Sequence, residues 1–279
     1  MADAWLVTGA GGMLGTELTA LLRTAGRPVT AAGRTDLDLT DARAVAAAVR
    51  GHRTVVNCAA WTAVDDAERA EEAALAVNGT AVGPLARACA AEGTTLIQIS
   101  TDYVLPGTDP APAPEDAPTG PVNAYGRTKL AGERAALAHG GLVVRTAWLY
   151  GAHGPNFVTT MARLARERET VDVVADQHGQ PTWTADLAAR IVALAGSGAP
   201  SGVYHGTNAG RTTWHGLARA VFAGLGHDPD RVRPTTTGAF PRPARRPASS
   251  VLGHDGWAAA GLPPLRGWES ALAEYLAAG

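Results

Sequence analysis

The chain has 279 residues, of which 46% are hydrophobic and 18% charged, with a formal net charge of −2. This is an ordinary globular composition, long enough for one large domain or two modest ones. It has no basic tract of the kind nucleic-acid partners require and no apolar run long enough to span a bilayer. An apolar run begins by Trp5, which leaves no room for a secretion signal, so a cytoplasmic location is expected. Cys58 and Cys89 lie in apolar segments and read as free core thiols. The histidines show no metal-ligand spacing. Among the 24 basic residues Lys129 is the only lysine.

Ala4 to Thr8 reads as a strand that stops at glycines, followed by helical spacing at Leu14, Leu18, Leu21 and Leu22. The alternation repeats, with a strand over 28–32 and a helix over 41–49 for which Thr40 is the expected N-cap. A buried strand is expected over 54–60, helices over 65–78 and 83–91, and strands over 95–100 and 142–147. The proline-rich segment from Pro106 to Pro121 suits no regular element and reads as an ordered loop over the site. Beyond about residue 150 the rhythm weakens. A helix is expected over 156–169, a short strand over 171–174, a helix over 184–195, and a return to the sheet over 202–207. Residues 211–279 mix helices with an irregular Pro/Arg segment at 241–247.

Short strands alternating with helices imply right-handed parallel βαβ units. The fold class is therefore α/β, a Rossmann-type doubly wound parallel sheet with a smaller, discontinuous α/β substrate domain. Residues 1–150 with about 184–210 form the expected dinucleotide-binding domain. About 151–183 with 211–279 form the expected substrate domain.

Gly9, Gly12 and Gly15 join the first strand to the first helix in the spacing G-x-x-G-x-x-G. Missing Cβ atoms let the backbone turn sharply and approach a pyrophosphate, which the free amides and the helix dipole favour. Context makes the motif informative, because it ends a strand and opens a helix. Arg34 stands after the second strand, where an NAD site offers a carboxylate to the ribose and an NADP site offers a cation to the 2′-phosphate. The expected cofactor is NADPH, with NADH the alternative if Asp36 or Asp38 reaches the ribose. The expected cofactor-binding set is Gly9, Gly12, Met13, Leu14, Gly15, Arg34, Asp38, Leu39, Ala59 and Ala60, with Tyr125 and Lys129.

Tyr125 and Lys129 are four residues apart on one expected helix, separated along its axis by about 6 Å. A nearby ammonium favours tyrosinate and lowers the phenol pKa, making the tyrosine a usable proton donor near neutral pH. Thr101 follows the strand over 95–100, where parallel sheets bind ligands, and its hydroxyl suits a substrate carbonyl.

With Thr8 to Gly15, these residues resemble the extended short-chain dehydrogenase/reductase family, and within it the dTDP-4-keto-6-deoxyhexose reductases. The likeness runs through 57–65, 100–104, 125–133 (Tyr-Gly-Arg-Thr-Lys-Leu-Ala-Gly-Glu), 145–151, 176–182, 246–250 and the closing Gly267-Trp-Glu. The resemblance implies NAD(P)H-dependent reduction of the C4 ketone of a dTDP-4-keto-6-deoxyhexose, either 4-dehydrorhamnose or a streptose-type or antibiotic deoxysugar precursor. Tyr125 would donate the proton, Lys129 would tune Tyr125 and bind the nicotinamide ribose, and Thr101 would bond the C4 oxygen. Thr62, Asp102, Tyr103 and Trp148 match sugar-pocket positions, and Asn156 and Gln180 are assigned to substrate binding with them.

Leu105, Trp61 and Ser249 depart from the family pattern and would reshape the sugar pocket. Some relatives hold magnesium between acidic residues at a dimer interface. Glu17 and Glu274 match two such positions and Asp186 replaces a third, so no metal is expected and solvated carboxylates are the better reading. The expected state is a monomer or homodimer, without nucleic acid or membrane. Tyr103 follows the Thr-Asp pair where sugar-nucleotide dehydratases of the superfamily carry glutamate, which argues for reduction over dehydration. A non-catalytic regulatory subunit of the methionine adenosyltransferase partner type is the alternative.

Overall fold

A computed structural model describes residues 3–278, so the expected domain ends at 1–2 and 279 lie outside the described residues. The first half lays down β1 (Trp5–Thr8), α1 (Met13–Thr24), β2 (Val29–Ala32), α2 (Ala42–Val49) and β3 (Thr54–Asn57). Then follow α3 (Val64–Ala67), α4 (Glu71–Leu75), α5 (Val82–Glu92), β4 (Thr95–Thr101), α6 (Ala124–Leu137) and β5 (Leu142–Thr146). The second half contains β6 (Leu149–Tyr150), α7 (Phe157–Glu167), β7 (Val171–Val174), β8 (His178–Gly179), β9 (Thr182–Trp183) and α8 (Thr184–Gly196). It closes with β10 (Gly202–His205), β11 (Thr212–Thr213), α9 (Trp214–Gly224), β12 (Val232–Thr235), α10 (Gly256–Ala259) and α11 (Trp268–Ala278).

Six strands form one parallel sheet in the order β10-β5-β4-β3-β1-β2. Strand periodicity divides its side chains between two cores. Val7, Val56, Ile97 and Val144 pack with Leu14, Leu18, Leu187 and Ile191 of α1 and α8. Leu6, Val55, Leu96 and Val143 pack with Val45, Val82, Leu85 and Cys89 of α2 and α5. The chain order reverses between β1 and β3, which puts a ligand crevice at the carboxyl ends of those strands. A third core, around Phe222, Tyr150, Trp268 and Val158, gathers α7, α9 and α11 with β7 and β12.

Several boundaries differ from expectation for identifiable reasons. Asp41, not Thr40, caps α2, its carboxylate accepting from the Arg43 and Ala44 amides. β3 ends at Asn57, where that side chain turns to bind across the sheet. The expected helix over 65–78 breaks. Glu68 is spent accepting from the Ala124 amide at the start of α6, and residues 76–80 form a π-helical turn. That turn holds buried Asn78, which bonds both main-chain groups of Trp61 and the Thr128 hydroxyl of α6. α6 can approach this closely because position 132 is glycine: a Cβ there would lie 2.1 Å from the Asn78 carbonyl oxygen. The proline-rich segment is tied down, with Ala113 bonded to Val251 and Gly253 and the Gly120 amide to Val104.

Candidate active site

The cradle after β1 fits a dinucleotide. Gly9 has φ +65°, and a Cβ there would lie 2.5 Å from the Ala59 amide nitrogen. A Cβ on Gly15 would lie 2.3 Å from the Gly9 carbonyl oxygen. Both positions therefore require glycine. α1 opens at Met13 behind Gly12, which has no side chain to cap its first-turn amides, the arrangement that accepts an anion. The close approach at Gly9 also brings the 59–60 loop beside the cradle. The side chains of Leu14 and Leu39 are buried in the cores, so their main chains are what they offer a ligand.

The cation at the ribose end is free. Arg34 is exposed and has no hydrogen-bond or ion-pair partner among the described residues. The neighbouring acids are engaged: Asp36 accepts from the Gly33 amide, and Asp38 Oδ1 accepts from the amide and hydroxyl of Thr40, which hold its carboxyl below the usual range. This favours a 2′-phosphate over a bare ribose at that end.

Three of the expected site residues converge near the end of β4. Thr101 is the last residue of β4, and Tyr125 and Lys129 lie on the first turns of α6, whose N-cap Asn123 accepts from the Gly126 amide. The Tyr125 phenol lies close enough to the Thr101 hydroxyl for that group to act on its pKa. It does not show the lowered pKa expected from Lys129. Burial pushes the phenol up, the neighbouring Asp102 adds to the rise, and only the nearby Thr101 hydroxyl opposes it. A phenol so held keeps the proton that a general acid must give. The reason lies in where Lys129 points. Its Nζ donates to the Ile99 carbonyl at 2.6 Å. Burial lowers its pKa to about 8, against the raising influence of Glu133 and Cys58.

Behind Lys129 lies a buried polar lattice. Glu133 and Arg145 form a two-pronged ion pair at 2.9 Å, both almost fully buried. Thr8 donates to Asn57, Asn57 to Gln98, and Gln98 to the same Ile99 carbonyl that takes Lys129. Asp102 and Tyr103 sit in a short turn after Thr101. The ring of Tyr103 stands edge-on to Tyr125 at 6.0 Å, and burial raises its phenol pKa. Arg246 reaches this corner, bonding Asp65 at 2.5 Å and lying near enough to Tyr103 to lower its phenol pKa against the effect of burial.

Trp148 is the one non-glycine residue at positive φ among the described residues, at +46°. It stacks on Trp214 with ring centroids 3.6 Å apart, over Gly179, where a Cβ would come within 2.4 Å of the indole. Such strain persists only where its surroundings enforce it. Thr62 is exposed on the loop after β3. Asn156 and Gln180 are spent elsewhere. Asn156 caps α7 and donates to the Gly151 carbonyl; buried Gln180 accepts from Leu252 and Thr207. Asp186 and Glu274 both hold the Arg266 guanidinium, a cation already in place between them, and Glu17 faces His153 instead at 3.9 Å. Trp214 escaped the sequence reading because it lies in no motif, and Gly179, inside the 176–182 segment, was not singled out there; the fold brings both to Trp148.

Residues 4–279 match the family described as the RmlD substrate binding domain. The chain belongs to this family. It is 59% identical to a dTDP-4-dehydrorhamnose reductase of Streptomyces griseus, covering 97% of this chain and 92% of that one. It is 55% identical to a dTDP-4-keto-6-deoxy-D-glucose reductase of Streptomyces niveus, over 98% of this chain and 96% of the relative. Its fold superposes with a TM-score of 0.95 on the crystal structure of a dTDP-4-dehydrorhamnose reductase from Bacillus anthracis in complex with NADP, 35% identical over all of both chains. Among the described residues no helix is long and apolar enough to cross a membrane.

Proposed function

We propose that the chain is an NADPH-dependent reductase of the C4 ketone of a dTDP-4-keto-6-deoxyhexose. The observation that carries this reading is the convergence of Thr101, Tyr125 and Lys129 beside a cradle that only glycine can build. The full-length relatives named as such reductases support it, and the regulatory-subunit alternative gains nothing from them. Gly9, Gly12 and Gly15 with Met13, Leu14, Ala59 and Ala60 would hold the pyrophosphate and flanking groups, and Arg34 the 2′-phosphate. When bound, the reduced nicotinamide supplies the hydride. Tyr125 gives its phenolic proton to the ketone oxygen as that oxygen gains charge. Lys129, whose Nζ lies on the Ile99 carbonyl of β4, would hold the nicotinamide ribose.

Asp102, Tyr103 and Trp148 line the sugar side, with Thr62 at its rim. Asn156 and Gln180 act by holding α7 and the 180–252 contact rather than by touching substrate. Residues 3–150 with 184–210 carry the cofactor, joined by 256–265, since Trp257, Ala260 and Leu265 pack into the sheet's core. Residues 151–183 with the rest of 211–278 carry the sugar. The reading places the protein in the cytoplasm as a monomer or homodimer, with Arg266 in place of a metal between Asp186 and Glu274.

The test is NADPH oxidation with a panel of dTDP-4-keto-6-deoxysugars, with NMR of the products. Tyr125→Phe should lose about 100-fold or more in kcat, within the range general acids contribute, while binding NADPH as before. Retention of most of the wild-type rate would remove Tyr125 as the proton donor.

A further inference from the structure

Trp148 stands between β5 and β6 at φ +46°, a conformation that a residue with a side chain keeps only where its surroundings enforce it. Its carbonyl accepts from the Thr182 amide, which holds the main chain. The ring is confined by residues from distant parts of the chain. β8 and β11 pair antiparallel, with Thr212 opposite Gly179 and Thr213 opposite His178. This two-residue ladder delivers Gly179 to the Trp148 indole and starts α9 at Trp214, directly after β11. The two indoles lie 11° from parallel with centroids 3.6 Å apart. Trp214 is itself held twice. The ring of Phe157, the first residue of α7, leans on it at 4.7 Å. Its Nε1 donates to Gln177 Oε1 at 3.2 Å, and Gln177 Nε2 donates to Thr237 Oγ1 at 2.9 Å. Thr237 in turn donates its amide and hydroxyl to Asp176.

We infer that Trp214 is a positioning residue for the sugar, acting through the Trp148 ring rather than by touching the substrate. The inference rests on the reductase reading above and on its placing of Trp148 at the sugar side. Trp148, Phe157 and Trp214 all border the third core, the one that reading gives to the sugar. Two parallel rings in contact restrict each other's rotamers, and a stacked pair shifts an equilibrium by about twofold to tenfold. Without Trp214 the strained Trp148 gains both room and reason to leave its conformation. Sugar would then bind only the fraction of molecules that keep the ring in place, and its apparent affinity would fall by that fraction. The glycine cradle rests instead on Ala59 and the first turn of α1, so its hold on NADPH does not depend on the stack.

The experiment is a double-mutant cycle on the full chain, reading KM for a dTDP-4-keto-6-deoxyhexose and for NADPH. Trp214→Ala should raise KM for the ketosugar about tenfold and leave KM for NADPH within about twofold. Trp214→Phe keeps a ring to stack and should stay within about threefold of wild type for the ketosugar. Placed on a Trp148→Ala background, Trp214→Ala should add less than about twofold, because the ring it acts through is gone. If Trp214→Ala does not fold, Gln177→Leu removes only the acceptor of the Trp214 Nε1 and should raise ketosugar KM about threefold, again only where Trp148 is present. Equal rises for both substrates would make Trp214 merely structural. A full tenfold loss on the Trp148→Ala background, no rise in Trp214→Ala, or an unchanged ketosugar KM in Trp148→Ala would each overturn the inference. A wild type that turns over no ketosugar would instead overturn the reductase reading, and the same cycle is then read from the Kd of the dTDP-ketosugar by isothermal titration calorimetry.

Discussion

Replacing Asp102 by asparagine should make the protein more stable at alkaline pH. The carboxyl is 2% exposed, and burial raises it from 3.8 to about 6. A group raised in the folded state binds its proton more tightly there than in the unfolded chain. Its contribution is fully present below pH 3.8 and is lost as pH rises through about 6. At 1.36 kcal/mol per pH unit, that loss is about 3 kcal/mol once Asp102 is ionised. The amide keeps the shape and can still hydrogen-bond Thr101, but it never charges. At pH 8 Asp102→Asn should therefore exceed wild type by about 3 kcal/mol, or about 6 °C in Tm for a chain of this size. Near pH 4 the two should converge. Thermal denaturation followed by circular dichroism from pH 4 to 9 reads this directly. A variant no more stable than wild type at pH 8, or a gain independent of pH, would refute a buried, uncompensated carboxyl.

Three other substitutions probe the surrounding site. Lys129→Arg should cut kcat at least about 100-fold and cost about 1–3 kcal/mol by overpacking a buried site; full activity with unchanged Tm would show that charge alone suffices there. Arg34→Ala should raise KM for NADPH about tenfold and leave KM for NADH nearly unchanged, whereas equal effects would deny it the 2′-phosphate. Glu133→Ala should cost about 3–5 kcal/mol in urea denaturation by stranding the buried Arg145 guanidinium, and the pair Glu133→Leu with Arg145→Met should recover most of it. A loss in the pair equal to that in the single variant would mean packing, not charge, decides.

The sheet was legible because its strands announce themselves locally: Trp5–Thr8, Thr54–Asn57 and Leu142–Thr146 are apolar runs closed by turns. The cradle was legible for the same reason, since glycine leaves a signature wherever a Cβ cannot fit. What escaped depends on partners far along the chain. The break in the helix after Ala67 answers to Ala124, and the π-helical turn to Trp61 and Thr128. Pairings such as β6 with β9 and β8 with β11 are two residues long, too short for any periodicity. Asn156 and Gln180 looked like ligands because polar side chains in a recognised segment can serve the site or hold the fold, and spacing does not distinguish the two. The ammonium's influence on Tyr125 failed for a related reason. The helix spacing placed Lys129 on the right face but said nothing of the carbonyl that claims its Nζ.

That carbonyl explains why the sole lysine stands where it does. Ile99 O accepts both Gln98 Nε2 at 2.9 Å and Lys129 Nζ at 2.6 Å, in a space where Lys129 is 3% exposed. A compact ammonium can satisfy itself there with one main-chain acceptor. A guanidinium would bring five donors in a rigid fork to a place that offers one free acceptor, and its unmatched N–H groups would be buried at a cost of about 1–3 kcal/mol each. Glu133 lies one turn further along α6, but both its oxygens are held by Arg145. It therefore supplies Lys129 with field rather than with a contact. Arginine stands where carboxylates take its guanidinium, as at 145, 246 and 266, and lysine where the partner is one main-chain carbonyl.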